Sequence, residues 1–241
     1  MDLYVGTSGW AYKEWKPDFY PADLPQKRFL EHYAGALGAC EINATFYRLQ
    51  SPEAVGRWAE VSPAGFRFST KAHRRLTHMR AWPVDERGRA FLDAYLKTVT
   101  ALGDRLGVVL WQFPDYKRRD DEGLAGLVEI LPRDLSYAFE FRDESWETPE
   151  IHDAVAALGG TVCVSNTDGT VPEELPPGPL AYVRMRTERY SPEARAGWLE
   201  LLQREAQTRP VFAFVKHEGI PAADPYGGIG LARWLTAESR K

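Results

Sequence analysis

In the stretch Cys40-Glu41-Ile42-Asn43-Ala44-Thr45-Phe46-Tyr47 the polar residues Glu41, Asn43 and Thr45 alternate with Ile42, Ala44 and Phe46. That is the period of a strand with two unlike faces. A carboxylate on a face that points into a protein interior is costly unless it is paired or does proton chemistry. Similar residues recur at the ends of later apolar runs. Lys71 follows Ser69 at a spacing of two, Gln112 follows Leu110, and Glu140 and Arg142 alternate with Phe139 and Phe141. Asn166 closes another run, Arg184 and Arg186 alternate with Val183 and Met185, and Lys216 follows Phe214. Glu41 and Glu140 are candidates for general acid and base. The five cations of this set, Lys71, Arg142, Arg184, Arg186 and Lys216, outnumber its two carboxylates, and a cationic surplus in a buried site calls for a phosphate or carboxylate ligand. A structural ion pair between Glu140 and Arg142, or between Glu41 and Lys71, is the plainer reading of the same residues.

The elements that must hold these residues follow from periodicity and punctuation. Leu3 to Ser8 reads as a strand ending in the glycine-bracketed turn GTSGW, which permits close backbone approach. An aromatic, proline-rich loop (12–25) leads to a helix from Gln26 to Ala39, then to the strand that begins at Cys40. Ser51-Pro52-Glu53 supplies an N-cap and a proline at the first helical position, predicting a helix to about Glu60. Strands are predicted over 66–72, 106–113, 137–142, 161–166, 181–186 and 211–216, separated by helices over 88–103, 120–131 and 148–158, a proline- and glycine-rich loop over 167–179, and a helix opened by Ser191-Pro192-Glu193. A last helix runs near 229–237. LGVVLWQF (106–113) is almost wholly apolar, as a parallel strand buried on both faces should be. Eight strands alternating with seven or eight helices predict a (β/α)8 TIM barrel, one domain over residues 1–241. A doubly wound open sheet is the alternative, but GTSGW lacks the GxGxxG spacing and no phosphate-binding loop is present. In a barrel the functional face lies at the C-terminal ends of the strands, where the residues named above stand.

Composition narrows the classes. The chain has 241 residues, 44% hydrophobic, with 30 basic and 34 acidic side chains for a formal charge of −4. A generic nucleic-acid coat is therefore disfavoured. One basic region stands out: from Val61 to Val84 there is no acid, while Arg67, Lys71, Arg74, Arg75 and Arg80 gather beside His73 and His78. Cys40 and Cys163 lie in apolar surroundings without metal or disulfide spacing and read as buried free thiols. The histidine spacing matches no metal motif, so no metal and no cofactor are expected, and His73, His78 and His217 read by position as structural. No signal-like leader and no apolar run of membrane-spanning length is present, which places the protein in the cytoplasm without a membrane partner.

The blocks GTSGWAYKEWKPDFYP, EINATFYRLQSPEAVGRWAEVSPAGFRFSTKAHRRLTH, LGVVLWQFP and AFEFRDESW together resemble the DUF72 family, also called YecE-like. The resemblance covers nearly the whole chain, and its first two blocks are specific. It implies a TIM barrel and carries no established activity. Position by position it covers Gly6, Ser8, Trp10, Tyr12, Glu41, Asn43, Phe46, Tyr47, Lys71, His73, Gln112, Glu140, Arg142 and Trp146, which adds Ser8, Trp10, Tyr47 and His73 to the expected substrate-binding set. Three strand ends depart from the pattern. Asp143-Glu144 stands where His-Pro is usual, Arg186-Thr187 where His-Gly is common, and Lys216-His217-Glu218 where an Asn-Asn-Asp-like ending is expected.

The resulting expectation is an enzyme of hydrolase, lyase or isomerase type acting on a small anionic ligand. Glu41, Glu140 and Lys71 would be catalytic, and Ser8, Trp10, Asn43, Tyr47, His73, Gln112, Arg142, Asn166, Arg184, Arg186 and Lys216 would bind. A phosphodiester-binding or endonuclease-like barrel using the basic region is the second reading. A non-catalytic ligand-binding barrel is the third.

Overall fold

The first strand, β1 (Leu3–Thr7), lies between β2 (Ala39–Ile42) and β9 (Val211–Val215), so the two ends of the chain meet in one sheet. The computed structural model describes residues 2–241. Moving outward from β2 come β3 (Arg67–Lys71), β4 (Leu106–Gln112), β5 (Tyr137–Glu140) and β6 (Gly160–Val162); beyond β9 come β8 (Ala181–Met185) and β7 (Val164–Asn166). Every pairing is parallel. β6 and β7 are one extended segment broken at Cys163: the first half pairs with β5 and the second with β8. The row of strands therefore comes back on itself as a nearly closed TIM-type barrel. The eight predicted strands are all present, with the sixth split in two.

The crossovers are helical where capping chemistry starts them. Ser51 accepts from Ala54 N ahead of α3 (Pro52–Glu60), and Ser191 accepts from Ala194 N ahead of α8 (Pro192–Glu205). The other helices are α1 (Phe29–Ala36), α2 (Ala44–Tyr47), α4 (Arg74–Thr77), α5 (Glu86–Val99), α6 (Asp121–Glu129), α7 (Pro149–Ala157) and α9 (Gly228–Glu238). Asp85 caps α5 through Gly88 N, so the helix begins at Glu86, two residues before the predicted start. As predicted, no helix forms between β7 and β8.

The barrel wall has two apolar sides. Its outer face packs Val5, Ile42, Phe68, Val183, Met185 and Val215 against one group of helices, and Val109, Trp111 and Phe139 against another. Its inner face carries Ala39, Val108, Leu110, Ala138, Tyr182, Phe212 and Phe214, with Tyr4 stacked on Phe212 at the N-terminal end. This packed interior is a plug and leaves no bore, as barrels of this width require. At Gly6 the neighbouring strand comes so close that a Cβ there would sit 1.9 Å from the Ala39 carbonyl oxygen. The close approach expected of the first turn is thus an approach to β2. Both cysteines are buried and free. No helix among the described residues is long and apolar enough to cross a membrane.

One sequence expectation fails in a consequential place. The strand predicted over Cys40–Tyr47 leaves the sheet after Ile42: Asn43 has φ −76° and ψ −19°, and Ala44–Tyr47 is a single helical turn. The Thr45 hydroxyl lies 2.8 Å from the carbonyls of both Ile42 and Lys71, pinning this turn over the end of β3. Asn43 and Thr45 consequently do not continue the face of Glu41. Local side-chain to backbone bonding by threonine competes with the ladder here, and alternation alone could not reveal it.

Candidate functional site

The inner face becomes polar at the last residues of the strands. Glu41 on β2 is fully buried; its Oε1 accepts from Ser8 Oγ at 2.7 Å and its Oε2 from Tyr182 OH at 2.8 Å. Because Tyr182 gives its proton to Glu41, Ser69 on β3 must donate to the tyrosine oxygen, 2.7 Å away. Arg184, two residues beyond Tyr182 on β8, then bridges the two carboxylates. It donates to Glu41 Oε1 at 3.0 Å and to Glu140 Oε2 at 2.6 Å while itself only 3% exposed. Glu140 Oε2 also accepts from Gln112 Nε2 at 2.8 Å, and Gln112 Oε1 accepts from Lys71 Nζ at 2.6 Å. The amide of Gln112 can face only this way, since Lys71 has only donors and an ionised Glu140 only acceptors. One chain of hydrogen bonds thus runs from Ser69 through Tyr182, Glu41, Arg184, Glu140 and Gln112 to Lys71, across five strands.

The electrostatics follow from that chain. Burial pushes the Glu41 carboxyl up, but Arg184 and the Ser8 and Tyr182 hydroxyls outweigh it and hold the group below the usual carboxylate range. Glu140 behaves alike, with burial opposed by Arg184, Gln112 and Arg142. Arg184 is buried, yet the two carboxylates keep it firmly protonated. Lys71 is the exception. It is 8% exposed, its Nζ stands 4.0 Å from the centre of the Phe46 ring, and burial, then the Arg184 charge, lower it to about 8. His78, in the loop above, is lowered to about 4 by burial and by Lys71 and Arg142.

Toward solvent, Arg142 has a half-exposed side chain whose Nε is 3.5 Å from Glu140 Oε1. Arg186 reaches back to Ser8 Oγ at 3.4 Å and lies 3.8 Å from the exposed Glu218. Lys71, Arg142, Arg184 and Arg186 hence face Glu41, Glu140 and, at the edge, Glu218, leaving a surplus of one positive charge. The rim is aromatic: Phe46, Tyr47 and His78 are in ring contact, and Tyr116 OH donates to the His78 carbonyl. Tyr47 is 70% exposed and Tyr116 56%.

Of the residues expected in the site, Ser8, Glu41, Lys71, Gln112, Glu140, Arg142, Arg184 and Arg186 come together. Others are directed elsewhere. Asn166 faces out of the barrel, held by Asp168, Thr170 and Tyr190, because the inward residue of the split sixth strand is Cys163; the parity assigned to that strand was one residue off. His73 caps α4 by accepting from Arg75 N, and its ring meets Phe91. Lys216 bonds to the exposed Glu188 at 3.2 Å, outside the chain of hydrogen bonds. Trp10 packs on Trp58 and Phe68 of the outer core, and Tyr47 stands at the rim without touching the buried cluster. Asn43 ends the strand with its Oδ1 buried and unpaired among the described residues. Tyr182 was missed, although it shares the parity of Arg184 two residues on. His78 and Tyr116 sit on loops and carry no periodic signal.

Among the described residues no group of three or more His, Cys, Asp or Glu is arranged to hold a metal ion. A cleft of about 450 Å3 lies between α6 and α7, lined by Val128, Leu131, Leu135, Tyr137 and Leu158. It opens at the N-terminal end of β5, far from the charged cluster, and offers apolar contact without convergent chemistry. We therefore place the candidate site at the strand ends.

The sequence matches the family described as a protein of unknown function, DUF72, over residues 4–237. It is 29% identical over 157 residues to UPF0759 protein YunF of Bacillus subtilis (strain 168), covering 63% of this chain and 54% of that protein. It is 28% identical over 142 residues to UPF0759 protein YecE of Escherichia coli (strain K12), covering 58% and 48%. The chain spans about half the length of these curated relatives. A solved DUF72 family protein from Thermotoga maritima MSB8 superposes with a TM-score of 0.75 at 22% identity, covering 100% of this chain and 99% of that one. Another from Enterococcus faecalis V583 gives 0.68 at 18%, covering 98% and 94%. At such identities the likeness speaks for a shared fold. With the family match extending over nearly the whole sequence, the chain belongs to the DUF72 family.

Proposed function

We propose that the barrel mouth binds a small phosphate- or carboxylate-bearing ligand and that the protein is an enzyme acting on it by proton transfer. The observation that carries this reading is the division of labour among the charges. Arg184 is engaged by Glu41 and Glu140 inside the barrel, whereas Arg142 is half-exposed and Arg186, beside Glu218, is partly exposed toward the solvent side. Exposed guanidinium edges beside a buried cationic cluster suit bidentate contact with an oxyanion.

The roles within the expected set then separate. Both oxygens of Glu41 accept hydrogen bonds, three in all, and it has no exposure; it anchors Arg184 and is a poor proton carrier. Glu140 Oε1 has only the long contact to Arg142, so it is the carboxylate edge available to a ligand. Lys71, lowered to about 8, carries a neutral fraction near neutral pH, the form in which an amine acts as a base or a nucleophile.

Thermal unfolding in phosphate and in chloride at matched ionic strength tests the reading. Phosphate should raise Tm by an amount that saturates with concentration, as binding at one site requires, and Arg142→Ala together with Arg186→Ala should remove the saturable part. An unsaturating rise that is equal in both proteins would be general exclusion from the surface and would end the proposal.

A further inference from the structure

Lys71 differs from every other cation of the cluster. Arg142, Arg184 and Arg186 each contact a carboxylate, but the Lys71 ammonium makes no ion pair among the described residues. Its hydrogen bond goes to the neutral amide oxygen of Gln112, and that amide stands between the amine and Glu140. Phe46 covers one side of Nζ at 4.0 Å, and Lys71 is 8% exposed. A lysine this buried, beside two carboxylates yet kept from pairing with either, is a costly arrangement for a structural charge. It is the environment in which a lysine amine becomes a nucleophile: apolar cover, neighbouring cations and no counter-ion. The groups facing it are Arg184, Arg142, Glu41 and Glu140, with His78 above.

We infer that Lys71 is a covalent nucleophile that forms an imine with a carbonyl-bearing anion, an aldehyde or ketone carrying a carboxylate or phosphate. This rests on the anion-binding reading and adds the substrate class. The neutral amine bonds to the carbonyl carbon while its proton passes to the carbonyl oxygen, giving a carbinolamine. The nitrogen then loses its second proton as the C–O bond breaks, and one water leaves with the imine formed. Glu140 Oε1, whose one contact is the half-exposed Arg142, relays the proton to the departing oxygen, and Arg142 and Arg186 hold the anionic end.

The protein supplies its own control. Lys117 is also buried, 7% exposed and over an aromatic ring at 4.3 Å, but its Nζ is tied to the carbonyls of Met79 and Arg80. The test is to incubate wild-type protein with glyoxylate and cyanoborohydride, which reduces any imine to a stable secondary amine, and to follow each lysine by peptide mapping. With Lys71 at about 8, its neutral fraction at pH 7.5 exceeds that of an ordinary lysine by about two hundredfold. Lower basicity offsets part of this, so labelling at least ~10-fold faster than at exposed Lys97 is expected, and faster than at Lys117, whose amine burial also lowers. The Lys71 rate should level off above about pH 8. Lys71→Arg should lose the fast-labelled site and keep the slow ones. Labelling of Lys71 no faster than of Lys117 overturns the inference. Saturable phosphate stabilisation alongside an unlabelled Lys71 refutes the imine and leaves anion binding standing. A fast Lys71 with no response to phosphate does the reverse.

Discussion

Replacing Arg184 by methionine removes the one cation shared by Glu41 and Glu140 and leaves both carboxylates buried. Breaking a buried ion pair from one side costs roughly 3–5 kcal/mol, because the remaining charge is stranded. Here two charges lose their shared partner, but each retains others: the Ser8 and Tyr182 hydroxyls for Glu41, and Gln112 with the more distant Arg142 for Glu140. The loss at pH 7.5 should therefore sit near the upper end, about 4–5 kcal/mol. The pH dependence gives the reasoning its edge. In the wild type both carboxyls are held below their ordinary range. They contribute stability at pH values above their unfolded pKa, and that contribution is lost only as pH falls through the lower, folded one. Without Arg184, burial dominates and both are pushed up, so the variant takes up protons on folding and regains stability as pH falls. Urea unfolding at pH 7.5 and pH 5.0 should show the difference between wild type and Arg184→Met narrowing at the lower pH. Adding Glu140→Gln to Arg184→Met should recover part of the loss at pH 7.5. A loss under about 1 kcal/mol, or one independent of pH, would show that the bridge does not organise the cluster.

Two further outcomes are expected. Lys71→Met should stabilise the protein at pH 7, since the folded state holds this amine at about 8 against an ordinary 10.5 and so binds fewer protons there than the unfolded chain. The advantage over wild type should fade between pH 8 and 10.5 as the unfolded lysine also deprotonates, and a constant advantage in denaturant titrations across that range would contradict the shift. Gly6→Ala places a Cβ 1.9 Å from the Ala39 carbonyl oxygen in the β1–β2 register. Because backbone and not a flexible side chain must give way, a loss of about 3 kcal/mol is expected. Thermal unfolding of the variant within a degree of wild type would mean that the strands separate freely.

The order of elements could be read in the linear chain because each signal is local. Alternating and continuous apolar runs mark the strands, and Ser-Pro-Glu marks the helix starts at Ser51 and Ser191. Strand parity even brought Glu41, Lys71, Gln112, Glu140 and Arg184 to one end of one barrel, since a two-residue period survives as long as the strand does. It failed where the strand did not survive. At Asn43 a threonine hydroxyl turned the chain into a helical turn, and along the sixth strand, interrupted at Cys163, the inward residues are Cys163 and Ser165, so the face assigned to Asn166 was one residue off. Pairing lay beyond the sequence for a different reason. That Arg184 is shared by both carboxylates, that Lys71 meets a neutral amide instead of Glu41, and that Lys216 turns out to Glu188 all depend on angstrom-scale distances between strands remote in sequence. Composition counted the cations, but only the tertiary structure could decide which are paired inside the barrel and which stand toward solvent.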